Sequence, residues 1–166
     1  WFYPSSGSTE VDRYVAWNYL ENHWSTGKLA RTCGFAATTT STKPVLLDPN
    51  GFVYQHEIGT DHSSNQPPAD AVPFVESGPI EIAQGDQVMH VFEIIPDEAN
   101  SGQTQFYLLG SFYPNETPTL HGPFSSLDPT PVRMQGRQVQ LRIEENVAED
   151  WRVGYFRLDV QQGGRR

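Results

Sequence analysis

The run Gln138-Val139-Gln140-Leu141-Arg142-Ile143-Glu144 decides the fold class. Val139, Leu141 and Ile143 take every second position, with Gln138, Gln140, Arg142 and Glu144 between them. Successive side chains of a strand point to opposite faces, so this pattern reads as a strand with one buried face. Downstream, Trp151 to Val160 repeats it. Phe156, Leu158 and Val160 share one face, and Arg157 and Asp159 share the other. Trp151, Val153 and Tyr155 are out of phase with that set, so Gly154 is expected to mark a bulge where the phase slips. The polar stretch Glu145 to Asp150 predicts that the two runs form an antiparallel hairpin. The chain from about residue 72 onward is expected to pack on this pair.

Composition agrees with an all-β chain. Fourteen Gly and 13 Pro favour short strands joined by many turns. No apolar run approaches the ~20 residues of a membrane-spanning helix, and no signal peptide is visible. The first residue is Trp1 rather than Met, as expected of a processed or partial chain. Cys33 stands alone, so no internal disulfide is possible. It reads as a small apolar residue in a strand, because no activating partner for a catalytic thiol can be placed.

Charge is distributed unevenly. Residues 1–43 hold 4 basic and 3 acidic residues, residues 44–132 hold 12 acidic residues and no Lys or Arg, and residues 133–166 hold 7 Arg and 5 acidic residues. Phosphate contacts need Lys or Arg, so the middle block is a poor nucleic-acid binder. Such a surface repels DNA, which suits a wall past which DNA slides. A generic acidic, soluble surface is the blander reading.

Along the chain, residues 1–10 read as a loop and Val11 to Trp17 as a strand. Asn18 to Asn22 is a turn, His23 to Ser25 resumes the strand, and Thr26-Gly27 is expected to turn again into Lys28 to Thr32. Strand, short turn and Trp-Ser-x-Gly form the pattern of a propeller blade. Pro44 to Leu47 and Phe52 to Glu57 form a second hairpin about Asp48-Pro49-Asn50-Gly51, where Pro pre-sets one dihedral and Asn-Gly tolerates positive φ. Gly59 to Asp70 reads as a linker. Beyond it, short strands are expected at Pro73 to Ser77 and Pro79 to Ala83. Longer ones follow at Gln87 to Ile95, a central strand, and Gln105 to Phe112. The proline-rich stretch Tyr113 to Pro131 reads as a long loop with one short edge strand near Phe124. The expected core is Val88, Phe92, Ile94, Phe106, Leu108, Leu141, Ile143, Phe156 and Leu158. The fold is therefore expected to be all-β. Propeller-blade-like hairpins span residues 1–70, and an antiparallel β-sandwich or jelly-roll-like domain spans 71–166.

Candidate chemistry is sparse. His56-Glu57-x-x-x-Asp61-His62 carries metal-ligand residue types, but the spacing fits no zinc or calcium loop, and a solvated hairpin end is preferred. His23, His90 and His121 are scattered. Glu144-Glu145 and Glu149-Asp150 read as solubilising, since among 20 acids some pair always reaches glycosidase spacing. No nucleophile elbow, P-loop, H-E-x-x-H or dinucleotide fingerprint is present. No catalytic residue, cofactor or metal is expected. The remaining cluster is Arg133, Arg137, Arg142, Arg152, Arg157, Arg165 and Arg166. Aromatic interleaving is slight and acids are mixed in, so cross-strand ion pairs are preferred over nucleic-acid binding. Arg137, Arg142, Arg152, Arg157, Arg165 and Arg166 are also expected to meet the acidic block of a neighbouring subunit. A ring of such subunits would use heterologous, closed contacts.

Several segments resemble a known family. They are Asp12-Arg13-Tyr14-Val15, Asn18-Tyr19-Leu20-Glu21-Asn22-x-Trp24, Leu29-Ala30-Arg31-Thr32 and Gly51-Phe52-Val53-Tyr54-Gln55-His56-Glu57-x-Gly59-Thr60-Asp61. Gln84-Gly85-Asp86-Gln87, Ile94-Ile95-Pro96-Asp97, Gly136-Arg137-Gln138-Val139 and Trp151-Arg152-Val153-Gly154 follow. Arg157-Leu158-Asp159-Val160-x-x-x-Gly164-Arg165-Arg166 completes the set. Together they resemble the C-terminal region of large tail proteins of short-tailed phages, of the tail hub or nozzle (tail tubular) type. The resemblance implies propeller blades followed by a β-sandwich, in a homo-oligomeric ring around the DNA exit channel. It implies a virion component, assembled in the host cytoplasm beside other phage tail proteins. DNA would pass without sequence-specific binding, no membrane would be involved, and the role would be structural rather than enzymatic. Two rival readings are a carbohydrate- or receptor-binding module using Trp1, Trp17, Trp24 or Tyr113, and one end of a propeller-type glycoside hydrolase.

Overall fold

The computed structural model describes residues 1–60, 72–96, 103–126 and 128–165. Among these residues every regular element longer than a single 3-10 turn is a strand, and all strand pairings are antiparallel. The chain divides into two compact units, Trp1–Ala71 and Val72–Arg166. The linker expected at Gly59 to Asp70 falls largely outside the described residues.

The first unit holds two three-stranded sheets. β1 (Phe2–Tyr3), β2 (Arg13–Asn18) and β3 (His23–Lys28) form one, in that order. β4 (Cys33–Phe35), β5 (Val45–Leu47) and β6 (Val53–Gln55) form the other. Two expectations are corrected here. Phe2–Tyr3 is paired with β2 rather than looped, and β3 runs straight through Gly27 instead of turning there. Gly27 is needed for space: a Cβ would lie 2.6 Å from the Tyr14 ring that packs across it. Cys33 is in a strand, as expected, but is exposed. The Asp48 to Gly51 turn forms as read. The Asp48 carboxylate accepts from Asn50 N at 2.9 Å and Phe52 N at 2.8 Å, and Gly51 takes φ +87°.

The second unit is a sandwich. One sheet has the order β11 (Thr119–Ser125), β10 (Thr104–Ser111), β13 (Gln138–Glu145), β7 (Phe74–Glu76), with β8 (Ile80–Glu81) also on β13. The other has the order β12 (Thr130–Gly136), β9 (Met89–Pro96), β14 (Phe156–Gln162). Their inward rows form one core: Met89, Val91, Ile94, Phe106, Leu108, Met134, Val139, Leu141 and Ile143. Burying each large apolar side chain contributes roughly 1.5–3 kcal/mol.

The expected terminal hairpin does not form. β13 pairs with β10, β7 and β8, while β14 pairs with β9. The two apolar rows face each other through the core instead of lying side by side, so the chain after β13 crosses between sheets. Gly154 is not a bulge either, since it precedes β14. The phase slip lies on the neighbouring strand, where Phe92 is the extra residue of β9 between its partners of Asp159 and Val160. That slip carries Met89, Val91 and Ile94 inward and leaves Phe92 exposed, which corrects the core expected for β9. The proline-rich stretch also forms more strand than expected, β11 and the first two residues of β12. Both are sheet edges, where proline removes no needed ladder bond.

Candidate functional site

Three groupings of side chains stand out, two in the first unit and one in the second. The first lies on one face of the β1-β2-β3 sheet. Register places Trp17 directly opposite Trp24 across the β2-β3 turn, and Trp1 beside Val15, whose N–H donates to the Trp1 carbonyl at 2.9 Å. The rings stack in a row. Trp17 and Trp24 have centroids 5.6 Å apart and planes within 16°, and Trp1 and Trp24 are at 5.9 Å and 24°. All three remain exposed, Trp1 at 70%, Trp24 at 62% and Trp17 at 45%. Alternation puts Arg13 and Lys28 on the same face as the row. The Trp17–Trp24 pair was legible as two tryptophans symmetric about a turn. Trp1 gave no such signal.

The second grouping surrounds Arg31, only 3% exposed. Its Nε donates to His56 Nε2 at 2.9 Å, its Nη1 donates to the Ala30 carbonyl at 2.7 Å, and its guanidinium lies 4.1 Å from the Tyr54 ring centroid. Asp48, also buried, accepts from the Tyr54 hydroxyl at 3.4 Å. Burial lowers the Arg31 pKa, against the opposing charges of Tyr54 and Asp48. Burial and then the Arg31 charge hold His56 below the usual histidine range, against Glu57. For Asp48, burial pushes upward, but hydrogen bonds from Phe52, Asn50 and Tyr54 win and hold it below the usual carboxylate range. Because His56 Nε2 accepts from Arg31, its lone pair is not offered to a metal. Of the metal-type residues read from sequence, Asp61 and His62 lie outside the described residues. Among the described residues no three His, Cys, Asp or Glu side chains gather. Residues 31 and 56 gave no sequence signal of meeting.

The third grouping is the arginine set, and the structure does not gather it onto one surface. Arg142 donates to Glu76 at 3.2 Å and Glu144 at 2.6 Å, and lies 3.8 Å from the Phe74 ring centroid. It fastens β7 to β13 within the chain. Arg157 stands on the outer face of the other sheet, beside Asp159. Arg137 lies between β12 and β13, and its backbone N–H donates to Ser111 O at 2.9 Å. Arg152 is exposed in the crossing segment, and Arg165 meets Asp86 at 3.1 Å. Arg166 lies outside the described residues. Glu145, read as solubilising, is buried. One of its oxygens accepts from Val147 N at 3.0 Å, and Oε2 has no partner among the described residues. A cleft of about 280 Å³ opens between the sheets, lined by Val75, Ile143, Trp151, Val153, Gly154 and Phe156.

No family model matches this chain, and no curated protein matches it.

Proposed function

We propose that this chain is a non-enzymatic structural component of a phage virion, of the tail hub or nozzle type. Copies would form a homo-oligomeric ring in the tail, against other tail proteins and around the channel through which DNA leaves. The observation that carries this reading is the uncovered Trp1–Trp24–Trp17 face. It belongs to a unit whose buried apolar residues, among those described, are only Leu29 and Ala30. A small unit with so little core is held by its neighbours, and exposed aromatic surface is where neighbours attach. The cation-free stretch of residues 44–132 suits a wall that DNA slides past without being held.

Cryo-EM of the parent particle tests the reading. Density for this chain repeated around the tail channel is expected. Recovery of the chain only as a free monomer, outside any capsid or tail, overturns it. A glycan array separates the saccharide-binding rival, since a wall subunit gives no signal on it.

A further inference from the structure

β14 is the outer strand of the β12-β9-β14 sheet. Among the described residues its other side meets no strand. Phe156, Leu158 and Val160 turn inward and pack partly buried against the core, while Arg157 and Asp159 are exposed on the outer face. An unpaired edge presents a row of N–H and C=O groups to any strand that fits it. The cleft lined by Val75, Ile143, Trp151, Val153, Gly154 and Phe156 opens beside this edge, and Val75 in its lining is exposed.

We infer that this edge pairs with β14 of a second copy of the chain, antiparallel, about a two-fold axis through Leu158. The sequence is complementary to itself in that register alone. Arg157 falls opposite the partner's Asp159, and Asp159 opposite the partner's Arg157, giving two reciprocal ion pairs on the outer face. On the inner face Leu158 meets the partner's Leu158, and Phe156 meets the partner's Val160, so the apolar row continues across the junction. A register centred on Arg157 or Asp159 sets like charges opposite each other. A register centred between residues sets an inward apolar side chain against an outward charge. The second copy's inward row extends past the edge at the cleft and covers apolar surface that is otherwise wet. Such a contact joins copies in pairs and closes no ring. It is therefore separate from the tube-forming contact proposed above and stands or falls without it.

Sedimentation equilibrium of the 166-residue chain tests the pairing with two charge swaps, Arg157→Asp and Asp159→Arg. The wild-type chain is expected to dimerise. Each single swap sets like charges opposite and is expected to raise the dimer dissociation constant on the order of tenfold or more. An equimolar mixture of the two variants restores both ion pairs and is expected to return to wild-type affinity. Arg157 also has an interaction within its own chain. That interaction is lost in the Arg157→Asp variant whether alone or mixed, so recovery on mixing reports only the contact between copies. A wild-type chain that stays monomeric, or a mixture no tighter than its separate components, overturns the inference. Circular dichroism of each variant confirms that it is folded.

Discussion

In the unit Val72–Arg166 two antiparallel sheets turn apolar rows toward each other, and Phe106, Leu108, Val91 and Ile94 lose all contact with solvent. In the unit Trp1–Ala71 the β1-β2-β3 sheet carries aromatic side chains of equal bulk, yet its tryptophans stay wet. Both sheets obey the same two-residue alternation. A strand pattern thus specifies that a face is apolar but not what covers it. In the second unit the cover comes from the same chain. In the first, no strand among the described residues lies over the tryptophan face, and the buried polar clusters are Arg31–His56 and Asp48 with its turn. Apolar burial belongs mostly to the second unit, while hydrogen bonds hold both.

The sharpest way to break this contrast is to remove a ring from the sandwich. Phe106→Ala should cost about 3–5 kcal/mol, the loss of transfer energy plus a cavity. Urea denaturation followed by far-UV circular dichroism reads it. Trp1, Trp17 and Trp24 lie in the first unit and Trp151 in the second. Fluorescence of a Trp151→Phe background therefore reports the first unit alone, and its midpoint should not move with Phe106→Ala. If both signals shift together, the two units share one cooperative transition and the contrast fails.

A smaller effect is expected at Arg142. Its two carboxylate contacts and its place over Phe74 fasten β7 to the sheet. Arg142→Ala should cost roughly 1–2 kcal/mol, between the values for exposed pairs and charged hydrogen bonds. Arg142→Lys should recover only part, because the ammonium lacks the planar fork. A loss near zero would leave Arg142 with only the contact to a neighbouring subunit expected from sequence.

Trp24→Ala comes next. Trp24 flanks both other rings but buries little area, so about 0.5–1.5 kcal/mol is expected, with loss of the exciton-coupled circular dichroism band of stacked indoles. A cost equal to that of Phe106→Ala would mean that the tryptophan face is already covered in solution.

These outcomes bear on what the sequence made legible. The alternation in Gln138 to Glu144 gave strand, inward face and burial correctly, because period two is a local property. Pairing is not local. Val139-Leu141-Ile143 and Phe156-Leu158-Val160 suit adjacent strands or facing sheets equally well, and only the packing of β9 and β10 chooses. The slip at Phe92 was hidden for the same reason, since a bulge is a relation between two strands. The Trp17–Trp24 pair was legible because a hairpin converts sequence symmetry into contact. Arg31 and His56 meet through packing alone.

The last difference between the units is in their response to acid. His56 is held below the usual histidine range in the folded chain, first by burial and then by the Arg31 charge. The unfolded chain therefore takes the proton first, at a pKa of about 6.5. The stability that neutral His56 contributes is fully present above that pH. It is lost as pH falls from there through the folded-state value. Asp48 and Asp12 are also lowered, but from the carboxylate range, so their contributions fade only in a more acidic window. His56→Gln separates the two. Its amide oxygen accepts the Arg31 N–H as the imidazole nitrogen does and carries no titrating proton. In the Trp151→Phe background, the denaturation midpoint of the first unit should fall as pH drops below about 6.5. The His56→Gln chain should flatten that slope while leaving the midpoint at neutral pH nearly unchanged. An unaltered slope would place the acid response elsewhere in the unit. A slope carried equally by the sandwich would remove the distinction between a unit built on hydrogen-bonded charge and one built on apolar burial.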